Sequence, residues 1–257
     1  MDVPRYLFRS HSPNSDGTNS ITGFGSMAKS NGNNRIRSLS RMAPAAAHGM
    51  LKDHVLWHSW KDRDDDILIS FTPSFLFSLQ HCVRKINGGR QTTKHNCYIT
   101  IIDTSRFPLH TFTWTVDLLE QYDLDIKNDP NLLHKYHEAE YVAEYELLII
   151  DQEAAKTVSF NELDLRGDLF DIMPELDDEI YKGKLWLRLQ QLRRQWYREE
   201  KAITSFEVHG ARKLALCFGG KWVPPMMLWA LAIRARPNQN QMLIHEFREG
   251  FYGRTLI

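Results

Sequence analysis

Ala143-Glu144-Tyr145-Glu146-Leu147-Leu148-Ile149-Ile150 reads in two ways, and the choice decides the fold class of the chain's front portion. Leu132, Tyr136, Ala139, Ala143, Leu147 and Ile150 fall on a helical stripe, which would carry one helix through the whole segment. Leu147 to Ile150 is also a compact apolar run, and periodicity alone does not assign such a run. The strand reading takes residues 130–141 as helix and residues 143–150 as strand. Glu144 and Glu146 then share a face with Val142, Leu148 and Ile150, because strand residues two apart point the same way. Two carboxylates continuing an apolar face can raise one pKa by desolvation and like-charge repulsion. On a helix the same pair is an ordinary solvated side.

Ile67 to Thr72 reads as a buried strand that Pro73 stops. Ser74 can cap the helix that follows, Phe75 to Ile86, which Asn87-Gly88-Gly89 closes. Tyr98 to Asp103 is rich in β-branched residues and reads as a strand, as does Tyr6 to Arg9. Residues 12–34 are rich in Ser, Asn and Gly and read as loop. Arg35 to Trp60 is helical for much of its length, broken by Pro44 and Gly49, and Asp64-Asp65-Asp66 is a solvated turn. Val116 to Tyr122 is helical.

After Ser159 the character changes. Tyr181, Leu185, Leu189, Leu192 and Trp196 mark one face of a long amphipathic helix. Thr204 with Glu207 predicts a capping box, for a helix ending at Gly219-Gly220. Pro224-Pro225 suits the first turn of a helix running to about Arg234, and a last helix spans Asn240 to Arg248. The fold class is therefore α+β, with a mixed domain over residues 1–160 and a helical C-terminal region over residues 161–257.

Composition narrows the function classes. Hydrophobic residues make up 42% of the 257, enough for a substantial core. Thirty-two basic residues balance thirty-two acidic ones, so net charge gives no pull toward nucleic acid or an anionic membrane. No apolar run reaches bilayer length, and the first residues lack a signal-peptide pattern. Three cysteines are too few for a disulfide scaffold. These features predict a cytoplasmic protein.

Three groups could carry chemistry besides the bulk of the core. Glu144 and Glu146 are the first. Ser70, Thr72 and Ser74 form a hydroxyl-rich strand end, which could orient a carboxylate or simply cap the helix. Arg9 ends an apolar strand before a Gly- and Ser-rich loop, and its planar fork suits a diphosphate as well as solvent. His81, Cys82, His95 and Cys97 have metal-ligand chemistry but no standard zinc spacing, so no metal is expected.

In order, Leu7-Phe8-Arg9, Gly23-Phe24-Gly25, Ser70 to Ser74, Tyr98 to Asp103 and Glu144-Tyr145-Glu146-Leu147-Leu148 resemble the Arg, Ser-Thr-Ser, Glu-x-Glu class of ADP-ribosyltransferases. These are the cholera-toxin-like enzymes and arginine-specific bacterial toxins. The chain also resembles uncharacterised fungal domains with such a front half. The resemblance covers residues 5–160 and implies NAD as substrate, with mono-ADP-ribosyl transfer to a protein acceptor or NAD glycohydrolysis. It implies that Arg9 holds NAD, that Thr72 with Ser70 or Ser74 supports the site, that Glu146 contacts the nicotinamide ribose and that Glu144 serves the acceptor. Phe71 and Pro73 stand where the family has serine, which keeps open a catalytically degenerate interaction module.

Overall fold

The computed structural model describes residues 2–35, 37–56, 64–88, 91–124, 136–177 and 185–237. The chain divides into two compact units, Met1–Ser74 with Thr100–Lys156, and Phe75–Ile99 with Thr157–Ile257. The sequence boundary at 160 lies near the third crossing between the units. The segment from Phe75 to Ile99, read above as part of the front domain, instead clusters with the C-terminal residues.

The strands are β1 (Tyr6–His11), β2 (Thr18–Ser20), β3 (Gly23–Gly25), β4 (Leu68–Phe71), β5 (Tyr98–Asp103), β6 (Thr113–Trp114), β7 (Tyr141–Glu144), β8 (Glu146–Leu148) and β9 (Ala155–Ser159). They form three small sheets, ordered β1-β5-β9, β2-β3-β8 and β4-β7-β6. In the first unit, α1 (Met27–Ser30), α2 (Pro44–Leu56) and α4 (Thr115–Gln121) accompany them, and α3 (Phe75–Gly88) belongs to the second unit. The interrupted helix expected over Arg35 to Trp60 becomes a 3-10 turn at Leu39–Arg41 and then α2. Trp57 and the ends placed at Trp60 and Gly89 lie outside the described residues.

Residues 12–34 are not a loop throughout. Gly17 takes φ 72, where an added Cβ would meet the Gly25 carbonyl oxygen at 2.0 Å, and this tight approach lets β2 pair with β3. Phe24 is buried, and Ser26 caps α1 by accepting from the Lys29 backbone N–H at 3.3 Å. A single buried aromatic thus organises a stretch whose composition reads as solvent-exposed.

The decisive stretch is strand, with a break. β7 begins at Tyr141, and Tyr145 has φ 60, so β7 and β8 run in different sheets. The reason is local. The Tyr145 N–H donates to Ile67 O at 2.6 Å, extending the β4–β7 ladder, while its carbonyl accepts from Ser26 N–H at 2.9 Å, beside β3. The kink separates the two glutamates, so the single shared face expected for Glu144 and Glu146 does not exist. Leu147 and Ile149 point into the core, while Leu148 and Ile150 are 55% and 87% exposed. Upstream, residues 136–139 form a 3-10 turn, and the rest of the helix expected from Pro130 lies outside the described residues.

The sheet β4-β7-β6 has apolar groups on both faces. Leu68 and Val142 join Ala47 and Leu51 of α2 and Leu118 and Leu119 of α4. Ile69, Phe71, Tyr141 and Ala143 join Leu7, Phe24 and Phe112. Burial on both sides explains why β4 reads as a continuous apolar run.

In the second unit, α3 is joined by α5 (Phe160–Leu165), α6 (Leu169–Ile172), α7 (Leu185–Tyr197), α8 (Ser205–Leu216) and α9 (Val223–Ala232). Leu189, Leu192 and Trp196 of α7 are buried, as the helical stripe predicts. Tyr181, the Leu185 side chain and the helix expected over Asn240 to Arg248 lie outside the described residues. The Thr204–Glu207 capping box is present in full, and Pro224-Pro225 occupies the first turn of α9. Among the described residues, no helix is long and apolar enough to cross a membrane.

Candidate functional site

Phe8 and Thr72 exchange backbone hydrogen bonds of 2.7 and 2.9 Å, which pins the middle of β1 to the end of β4. Arg9, the next residue, therefore lies beside Ser70. Its Nη1 donates to the Ser70 carbonyl at 2.9 Å, and its Nε and Nη2 donate to Asn19 Oδ1 at 3.0 and 2.9 Å. The guanidinium lies over Phe24 and Phe71, 5.3 and 5.9 Å from the ring centroids. Burial lowers the Arg9 pKa to about 10, against the opposing charges of Asp16 and Glu140, so it stays cationic at neutral pH.

Ser70 shares its face of β4 with Leu68 and is paired with Val142 of β7. Its hydroxyl lies 3.1 Å from His54 Nε2 and hydrogen-bonds the Glu140 carboxylate. His54 stands in the last turn of α2, where the helix dipole favours a cation. Its Nδ1 is 2.7 Å from Asp66 Oδ2 and its Nε2 is 3.5 Å from Glu140 Oε1. Asp66 is itself held, because its Oδ1 accepts the Leu68 N–H at 2.9 Å. It is buried, contrary to the solvated turn expected at Asp64-Asp65-Asp66. Thr115 Oγ1 donates to Glu140 Oε2 at 3.4 Å.

Burial alone would push the His54 pKa down, but Asp66 and Glu140 overcome it and raise the value to about 10. Burial alone would push Glu140 up, but hydrogen bonds from His54 and Ser70 and the charge of His54 hold it below the usual glutamate range. The result is a buried constellation with two cations, Arg9 and His54, and two carboxylates, Asp66 and Glu140. A cavity of about 290 Å³ opens beside it, lined by Gly49, Met50, Asp53, His54, Asp65 and Asp66.

Of the residues singled out from sequence, the structure brings Arg9 and Ser70 together. Thr72 is buried and forms the β1–β4 bridge, and its Oγ1 accepts the Ser74 N–H at 3.2 Å, which orders the turn into α3. Glu144 accepts the Leu39 N–H at 3.2 Å, and Glu146, on β8, is exposed and pairs with Lys29 at 3.3 Å. Neither is directed to Arg9 by these contacts. Glu140, His54 and Asp66 escaped the sequence reading. The signal for Glu140 was alternation: Glu140, Val142 and Glu144 share strand spacing, so a further carboxylate stands two steps before the Glu-x-Glu pair. Among the described residues, no group of three or more His, Cys, Asp or Glu side chains could hold a metal ion.

No curated protein and no solved structure matches the chain. Residues 2–154 match the family described as Domain of unknown function (DUF7587). That span contains Arg9, His54, Asp66, Ser70 and Glu140 and takes in more than half of the 257 residues. The chain belongs to the DUF7587 family.

Proposed function

We propose that the first unit is an ADP-ribosyltransferase-like domain that takes NAD as substrate and breaks its nicotinamide–ribose bond, passing ADP-ribose to a protein acceptor or to water. The observation that supports this reading is the meeting of Arg9, Ser70 and Glu140, three residues far apart in sequence, at one place. Arginine suits the NAD diphosphate. Breaking the glycosidic bond sends its electron pair to nicotinamide and leaves positive charge on the ribose. A carboxylate fixed beside that charge stabilises the transition state more than the ground state. Glu140 takes this role in place of Glu146, and Ser70 fixes its rotamer. Glu144 and Glu146 lie further along the chain toward solvent-facing β8, where Glu146 can meet an acceptor.

A second reading has its own support. Three Arg9 N–H groups already serve Asn19 and Ser70, and Phe71, standing in the family's serine position, is a core side chain. Both are what a non-catalytic interaction module that keeps the fold would show. The assay that separates the readings is nicotinamide release, with calorimetric NAD binding. Release by the wild-type protein that is lost in folded Glu140→Gln supports the enzyme. Neither binding nor release across a panel of candidate acceptors overturns it in favour of the interaction module.

A further inference from the structure

We propose that His54, clamped by Asp66, is a positioning residue: a buried, fixed imidazolium that aims the Glu140 carboxylate and leaves Ser70 without a general base. The functional part of this inference rests on the reading of Glu140 as the carboxylate that works on NAD.

The geometry first suggests something else. Ser70 Oγ, His54 Nε2, His54 Nδ1 and Asp66 Oδ2 form a chain of 3.1 and 2.7 Å contacts, in the order nucleophile, base, orienting carboxylate. Such a chain needs a neutral imidazole whose Nε2 lone pair can take the serine proton. Here a second carboxylate, Glu140, sits 3.5 Å from the same Nε2. With a carboxylate at each ring nitrogen, both nitrogens carry protons and both donate. No lone pair is left for Ser70.

The surroundings reinforce this. His54, Asp66 and Glu140 are all at most 9% exposed, so their charges act through little water. Asp66 faces the ring from the entry to β4, Ser70 from β4 and Glu140 from the entry to β7. Asp53, one residue before His54 on α2, and Asp65 line the adjoining cavity and add negative charge. Arg9 from β1 acts on Glu140 and not against its ionisation. Thr115 at the start of α4 gives Glu140 Oε2 a further donor. Glu140 is therefore fixed by three donors, and only one of them, His54, brings a full charge within 4 Å.

The test reads the ring and the carboxylate directly. In the wild-type protein, ¹⁵N shifts of His54 at pH 8 are expected to be those of an imidazolium. The Glu140 carboxyl, assigned by its absence in Glu140→Gln, is expected to titrate below an ordinary glutamate by ¹³C NMR. In His54→Gln, or in His54→Asn if the first variant does not fold, the Glu140 midpoint should rise by about 1–3 pH units, as loss of a close opposite charge predicts. Nicotinamide release should then lose kcat with KM for NAD little changed, and its acid limb should move up with the Glu140 midpoint. A fluorophosphonate probe should leave Ser70 unlabelled. A neutral His54 ring at pH 8, an unmoved Glu140 midpoint in a folded variant, or labelled Ser70 each overturns the proposal. Titrations as expected, in a protein that neither binds nor cleaves NAD, uphold the electrostatic role of His54 and sink the NAD reading instead.

Discussion

Ser70 is paired with Val142 across β4 and β7, and this pairing sets a glutamate on either side of Val142 along one strand face, Glu140 before it and Glu144 after it. The two carboxylates have different partners, His54 and Ser70 for the first and the Leu39 N–H for the second. Their variants should therefore behave differently.

Glu140→Gln keeps the shape and removes the charge. It should lower nicotinamide release on the order of a hundredfold, the usual loss for one electrostatic contact to a transition state. Glu144→Gln and Glu146→Gln should leave release from NAD alone within a few-fold of wild type, with Glu146→Gln acting on transfer to an acceptor. Initial rates for the three folded proteins, with and without an arginine-rich acceptor, check the order.

Stability should depend on pH from both ends of this cluster. His54 has its pKa raised from 6.5 to about 10, so its contribution is complete below about pH 6.5 and fades as pH rises toward 10. Glu140 has its pKa lowered from 4.5, so its contribution is complete above about pH 4.5 and fades as pH falls through the depressed value. Thermal melting across pH should show a plateau between these limits. His54→Gln should flatten the alkaline decline and Glu140→Gln the acidic one.

Gly210 of α8 faces Ile172 of α6, and an added Cβ would meet Ile172 Cγ2 at 2.0 Å. Gly210→Ala removes a helix-weakening glycine, which alone would stabilise by about 1 kcal/mol. The clash should win, with a net loss of about 1–3 kcal/mol typical of an overpacked core. A denaturation midpoint unchanged or raised in Gly210→Ala would contradict this.

Thr204 caps α8 and receives the reciprocal bond of Glu207, which also holds Arg236 at 2.9 Å. Thr204→Ala should cost about 1 kcal/mol, the usual value of a cap. Glu207→Ala should cost more, because it also removes the carboxylate that pairs with Arg236 and Arg234. Urea unfolding of both variants tests the ranking.

The sequence carried the elements whose signals are local. The capping box at Thr204, the prolines opening α9, the apolar run of β4 and the stripe on α7 each rest on neighbours within a turn or strand, and each is present. A strand over residues 143–150 was legible, but neither its earlier start at Tyr141, read as helix, nor its break at Tyr145 was. That break depends on Ile67 and Ser26, which are distant in sequence. The cluster around Glu140 was not legible for the same reason. Arg9 and Ser70 stand out because they interrupt apolar strands. His54 lies in a helix of weak amphipathicity, and Asp66 closes a run of three aspartates that composition assigns to solvent. Only the fold shows that one aspartate of the three turns inward.

The discontinuity of the second unit has a consequence during synthesis. The first unit ends at Lys156, whereas α3 packs on α7, which the ribosome makes about a hundred residues later. At about 5–20 residues per second, the nascent chain carries Phe75, Leu76, Leu79 and Val83 without their final cover for about 5–20 s. Over that interval α3 is a natural client for a ribosome-associated chaperone, and truncation before Leu185 should leave it a lasting one.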